Sequence, residues 1–205
     1  MTVATPEECV AYVNEVGLCA WRKGTPLPSL EAVTPWAESG DVMLHTWFWK
    51  DDLHIEKQLY YGQLWGAGVP VFASLALLPT LIAAQGDCDP RDLYEQGRLS
   101  RVALTLYEHI ERHGPTAKNR LPYPPNTSQT PPLVQLQQNF LLTKVGLTGR
   151  TRGTYGYLWG RCDTFYPDAF ASAAQQTVAE ARERVCAQLA LPEKALTRAL
   201  RWREL

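Results

Sequence analysis

The sequence predicts an α+β protein, mostly α, and three observations set that class. Apolar residues at three-to-four spacing, bracketed by helix caps, fill much of the 205 residues. Strand-like runs are few and short. The third observation is the stretch from Leu133 to Gly160, where a helical run leads through a strand-like run into a glycine-rich basic loop and out through a second strand-like run. Helix, strand, basic hairpin, strand is the anatomy of a winged helix-turn-helix. The expected architecture is one such unit flanked by an N-terminal helical subdomain and C-terminal helices.

From the N-terminus, Thr5-Pro6-Glu7-Glu8 carries a full set of helix start signals: Thr5 as N-cap, Pro6 at the first helical position and Glu8 reaching back. Cys9, Val13 and Val16 form the buried stripe until Gly17 stops the helix. After the proline-punctuated Gly24 to Pro28, Ser29 caps a second short helix with Glu31 in its first turn. Asp51 or Asp52 is expected to cap a helix running through Leu64, with Leu53, Lys57, Tyr60 and Leu64 as its stripe. Val69 to Ser74 reads as a strand, Leu75 to Gln85 as a buried helix, and Asp89-Pro90 as the start of a helix ending at Gly97. No internal repeat is visible.

Arg101 to His113 puts Ala103, Leu106, Tyr107 and Ile110 on one face and is closed by Gly114-Pro115, which makes it the first helix of the winged unit. Pro115 to Leu121 is the expected short second helix, and the proline-rich Leu121 to Pro132 a loop. The third helix carries Leu133, Leu136 and Phe140 on one side and Gln135, Gln137, Gln138 and Asn139 on the other, an amide-rich face suited to base edges in the major groove. Strands over Leu141 to Val145 and Tyr155 to Trp159 bracket a hairpin with Arg150 and Arg152 at its tip. Asp163 to Phe170 reads as a turn, and Ala171 to Leu191 as one helix burying Ala174, Val178, Ala181 and Val185. A last helix after Pro192 bears Lys194, Arg198, Arg201 and Arg203, balanced by Glu193 and Glu204. The expected segments are therefore 1–97, 98–160 and 161–205.

A composition 45% hydrophobic and 20% charged belongs to a folded chain rather than a disordered one. The net charge of -1 conceals a split: residues 1–97 carry five bases against thirteen acids, and residues 98–205 fifteen bases against eight acids. The basic half is the half with the hairpin. Candidate DNA contacts are accordingly Lys118, Arg120, Gln135, Gln138, Asn139, Lys144, Arg150 and Arg152, with double-stranded DNA as the expected partner. Arg150 and Arg152 lie between Gly149 and Gly153, and no acid occurs between Glu111 and Asp163, so both are expected to be reserved for phosphate. The cluster Lys50, Asp51, Asp52, His54, Glu56 and Lys57 reads as helix-start acids and surface pairs in preference to an acid/base site.

Five widely spaced cysteines with no C-x-x-C pair point to a reducing cytoplasm, with no metal and no cofactor expected. The longest apolar run, Val69 to Ala84, is broken by Pro70 and Pro79 and is too short to span a bilayer, so no membrane partner is expected. The oligomeric state is not legible in the sequence.

The succession NEVG (Asn14 to Gly17), PSLEAV (Pro28 to Val33), WFWKDDL (Trp47 to Leu53), YYGQLWG (Tyr60 to Gly66), GRLSRVALTLYEHIERHGP (Gly97 to Pro115) and LQQNFLLTKVG (Leu136 to Gly146) resembles the bacterial AlkZ-related winged-helix proteins, relatives of the YcaQ/AlkZ DNA glycosylases. The resemblance implies tandem winged-helix units, metal-free excision of alkylated or crosslinked bases, and a glutamine-apolar-glutamine motif that positions the attacking water. The one such string, Gln135-Leu136-Gln137, lies in the expected third helix, whereas the family carries its motif near the N-terminal region, where Asn14 to Ala20 offers no paired glutamines. No catalytic residue is assigned. The leading expectation is a winged-helix DNA-binding protein linked to DNA repair or transcription. One alternative is a glycosylase-like enzyme acting on alkylated bases, with Gln135, Gln137 or Asp51 orienting water. The other is a protein-interaction adaptor that uses the Trp47 to Trp49 surface and does not touch nucleic acid.

Overall fold

A computed structural model describes residues 2–39, 42–86 and 88–202. Its first half runs α1 (Pro6–Val16), β1 (Leu18–Ala20), α2 (Leu30–Val33), α3 (Val42–Thr46), α4 (Trp49–Ile55), then the hairpin β2 (Leu59–Trp65) and β3 (Val69–Ser74). Two helices follow, α5 (Leu78–Gln85) and α6 (Pro90–Glu95). The second half runs α7 (Arg101–His113), β4 (Thr116–Ala117), a 3-10 turn (Lys118–Arg120), α8 (Thr130–Gln138) and the hairpin β5 (Leu142–Gly149) and β6 (Gly156–Arg161). Short α9 (Cys162–Phe165) and α10 (Pro167–Ala173) lead into α11 (Val178–Leu189) and α12 (Glu193–Leu200).

A common order of elements thus occurs twice, helix, short strand, short helical turn, helix, antiparallel hairpin, with α3 as an additional short helix in the first copy. Each copy forms a three-stranded antiparallel sheet in which the last strand lies in the middle, β1-β3-β2 and β4-β6-β5. The agreement extends to single residues. Gly17 and Gly114 end α1 and α7 at positive φ, 78 and 77, which glycine adopts without a Cβ penalty, although their ψ angles differ, -51 and -168. Their amides donate to Val13 and Ile110, both at 2.8 Å. Lys57 and Phe140, just after α4 and α8, both take positive φ, 55 and 51. The next amides, of Gln58 and Leu141, close back onto Leu53 and Leu136 at 2.8 and 2.9 Å. Leu59 and Leu142 then open the hairpins, and Tyr61 opposite Phe72 holds the register place of Lys144 opposite Trp159. This is the internal repeat that residue identities do not reveal, because strand order and the helix-to-hairpin connection are kept while most side chains differ.

Three apolar clusters hold the chain. One joins α1, one face of the first sheet and α4 through Cys9, Val13, Leu30, Leu53, Leu59 and Phe72. A second joins α7, α8 and the second sheet through Leu106, Ile110, Leu136, Leu142 and Trp159. The third takes the other face of the first sheet, through Tyr60, Leu64 and Val71, and packs it against α5, Phe140, Tyr166, Val185 and Leu196. The C-terminal helices therefore share a core with the first sheet rather than forming a separate annex.

Several expected elements are corrected. The helix expected from Asp51 to Leu64 stops at Ile55, and its N-cap is Phe48 without a side-chain cap. Leu59 to Trp65 is a strand, because Tyr60 and Tyr61 bury their rings on opposite faces of a pleated sheet. Pro115 to Leu121 is a two-residue edge strand and a 3-10 turn. The single helix expected over Ala171 to Leu191 breaks after Ala173 and restarts behind a Thr177–Glu180 capping box. Asp163 to Phe170 is helical rather than a turn. The Thr5–Glu8 capping box, the strand Val69 to Ser74 and the helix Arg101 to His113 stand as expected. Arg203 and Glu204 lie outside the described residues.

Candidate nucleic-acid interface

The two units cross over each other, so that the helix preceding each hairpin rests on the first hairpin strand of the other unit. On one side α8 lies across β2. Gln137, fully buried, accepts from the Gln63 amide at 3.2 Å and donates to Gln63 Oε1 at 3.3 Å. Gln138 Nε2 donates to the Gly66 carbonyl at 2.8 Å. Gln135 Oε1 accepts from the Ser100 amide and hydroxyl at 3.1 and 2.8 Å, and Asn139 Nδ2 donates back to the Gln135 carbonyl at 2.8 Å. The amide-rich face expected to look outward is therefore turned into the molecule. A buried amide must find partners, and β2 and the start of α7 supply them.

On the other side α4 rests against β5. His54, 1% exposed, sits 2.8 Å from the Lys144 carbonyl through Nε2, and its Nδ1 accepts from the Tyr61 amide at 2.9 Å. Tyr166 places its hydroxyl 3.0 Å from the same Nδ1. Burial, with the charge of Lys144 as the second cause, drives the imidazole down to a pKa of about 3. The ring is a neutral cross-brace.

Next to it Lys50 and Asp51, each 2% exposed, form an ion pair at 2.7 Å. Tyr155 donates to one Asp51 oxygen at 2.8 Å and Tyr157 to the other at 3.0 Å, while the two phenols stand 2.7 Å apart. Lys50 also reaches the Tyr155 hydroxyl and lies 4.4 Å from the Trp47 ring centroid. Burial lowers the Lys50 pKa, and the hydrogen bond to Asp51 opposes it. Burial likewise raises the pKa of Tyr155 and Tyr157. Lys144, 6% exposed, points its ammonium at the Tyr61 and Tyr157 rings, 4.1 and 4.7 Å from their centroids. Burial first, then the neighbouring Lys50, brings its pKa down to about 7. Of the acids and bases expected as surface pairs, Lys50 and Asp51 thus form a closed network with Tyr155 and Tyr157, and His54 is buried beside it. Glu56 and Lys57 are exposed and Asp52 pairs at the surface, as expected. The work of the network is to pin the second hairpin onto α4.

Sequence reasoning missed Tyr155, Tyr157 and Phe48 as parts of this junction. The one-residue alternation of Tyr155 and Tyr157 was the available signal, since it puts both hydroxyls on one side of a strand.

The cations divide into two groups. Lys144 is enclosed, contrary to the expected outward role. Arg150 was expected to lack a carboxylate, but it pairs with Asp52 of α4, with a second contact at 3.3 Å. The partner is remote in sequence, which is why scanning the flanks of Arg150 could not find it. Arg152 and Arg120 are exposed and Lys118 is half-buried. Phe48 packs against this corner, its ring 5.7 Å from the Arg150 guanidinium and edge-on to Tyr155. Elsewhere a cavity of about 520 Å³ opens where α5, Phe140, Tyr107 and Phe170 meet, with Asn139 and Asp163 in its wall.

Among the described residues no group of three or more His, Cys, Asp or Glu side chains could hold a metal ion. Nor is any helix among them long and apolar enough to cross a membrane. None of the five cysteines is in a disulfide. Burial raises the pKa of Cys9 to about 12 and pushes Cys19 and Cys162 up as well.

No curated protein and no solved structure matches the chain. A family described as AlkZ related does match it, over residues 3–199. With nearly its whole length inside that match, the chain belongs to the AlkZ-related family.

Proposed function

We propose that this protein is a tandem winged-helix DNA-binding protein serving DNA repair, and that it grips duplex DNA by its phosphates rather than by reading base edges. The observation that carries the reading is the twice-repeated order of elements with the last strand central in each sheet, in a member of a family linked to DNA glycosylase-like and repair proteins. The helices that would enter a major groove in such units, α4 and α8, are both packed under the opposite hairpin. Gln135, Gln138 and Asn139 are engaged internally, so sequence readout by them would need the two units to part. The contacts are assigned to Lys118, Arg120, Arg150 and Arg152, whose charges serve phosphate without regard to sequence.

Retention of the full chain on immobilised duplexes of unrelated sequence, between 50 and 200 mM salt, tests this. If all four cations touch phosphate, the affinity falls with a log-log salt slope of about -3 to -4, equal for all sequences. Absence of retention at the lowest salt rules the reading out.

A further inference from the structure

We propose that Leu44 on α3 and Phe48 on the turn into α4 form an apolar wedge that takes unstacked nucleobases, which directs the protein to duplexes with unpaired or displaced bases. This deepens the DNA-binding reading and rests on it. Among the described residues the exposed large hydrophobic side chains are Leu44, Phe48 and Tyr94, and two of these three lie four residues apart, one on α3 and one at the start of α4. Leu44 is 76% and Phe48 41% exposed. Burial in a core would stabilise both side chains, so a surface that keeps the pair exposed together is fitted to something other than folding.

The surroundings identify the occupant. The Arg150 guanidinium lies 5.7 Å from the Phe48 ring centroid, and Thr151 and Arg152 are exposed beside it at the hairpin tip. His45, also exposed, stacks on Trp36 at 4.2 Å with the rings 10° from parallel. Flat rings and an aliphatic tip next to arginines suit a base on one side and its phosphate on the other. Asp52 shares Arg150, so Arg152 carries the unshared charge at the tip, and Arg150 offers its planar face beside its phosphate contact. The support is stiff: directly beneath Phe48, Tyr155 is locked to Lys50 and Asp51. A wedge needs such backing, because a yielding side chain would fold away from a base step instead of parting it.

The test compares the full chain on an intact 30-base-pair duplex, the same duplex with a three-nucleotide mismatch bubble, and single strand, at one salt concentration. The bubble is expected to bind at least about tenfold tighter than the intact duplex, the scale of one or two stacked bases. L44A/F48A should reduce that preference to within about twofold while intact-duplex binding stays unchanged, and F48W should restore it. R152A should instead weaken bubble and duplex alike. Equal binding of bubble and duplex by the unaltered protein overturns the wedge and leaves DNA binding standing. Absence of binding to any of the three overturns both. Concentration-dependent self-association that L44A/F48A abolishes, without any bubble preference, would assign the face to a second copy of the chain.

Discussion

The ammonium of Lys144 lies 4.1 Å from the ring centroid of Tyr61, and these two residues occupy the same place in the two hairpins. The units therefore meet at equivalent positions, one occupied by an aromatic ring and the other by a cation. The crossing is not symmetric in its chemistry, however. On one side Gln137 braces α8 to β2, and on the other His54 braces α4 to β5. An amide stays neutral at every pH, while a histidine and a buried lysine do not, so the junction carries pH dependence on one side.

His54 supplies the acid limb. Its native pKa of about 3 lies below the ordinary value of about 6.5, so between those values the unfolded chain binds a proton that the native ring refuses. Stability is present in full above pH 6.5 and is lost as pH falls towards 3. Chemical denaturation at pH 6.5 and 5.5 should show this loss before most carboxylates titrate. His54→Gln can accept from the Tyr61 amide and donate to the Lys144 carbonyl, and should flatten that step. A variant with the same slope as the unaltered protein would remove His54 from the acid limb.

Lys144 supplies a second limb of the same sign at higher pH. A lysine ordinarily titrates near 10.4, and burial holds this one at about 7. Above pH 7 the native state gives up a proton that the unfolded state keeps, so stability rises from pH 7 to 8. Beyond roughly 8.5 the buried thiols of Cys9, Cys19 and Cys162 oppose it, because they stay protonated while unfolded thiols ionise. Lys144→Met should be more stable than the parent at pH 6 and should lose the rise between 7 and 8. Destabilisation at pH 6 would mean that the ammonium is held favourably by the two rings.

The two carboxylates at the start of α4 should differ sharply. Asp52 meets Arg150 at the surface, a contact whose removal by Arg150→Ala should cost under about 1 kcal/mol. Asp51 is buried, and Asp51→Ala would leave the Lys50 cation and two phenols without their acceptor, at about 3–5 kcal/mol. Unfolding free energies of the two variants at pH 7 decide it, and similar values would contradict the closed-network account.

The sequence by itself determined what depends on neighbours along the chain. Thr5 and Glu8 form a reciprocal cap because a helix start is settled within four residues, and the Ala103, Leu106, Tyr107 and Ile110 stripe buries because spacing on a helix fixes its face. Gly114 ends its helix for the same local reason. Family membership was also legible, since it rests on the order of short signatures. Tertiary structure decided which way each polar face turned. Gln137 and Gln138 look like a solvated face until β2 is laid over them, and Arg150 looks unpaired until α4 brings Asp52 to it from 98 residues away. Leu59 to Trp65 followed the helical pattern of its leucines and tyrosines, yet a left-handed turn at Lys57 and pairing with β3 made it a strand. In each case the deciding partner is remote in sequence, and a free energy that exists only when two distant segments meet leaves no periodicity along either one.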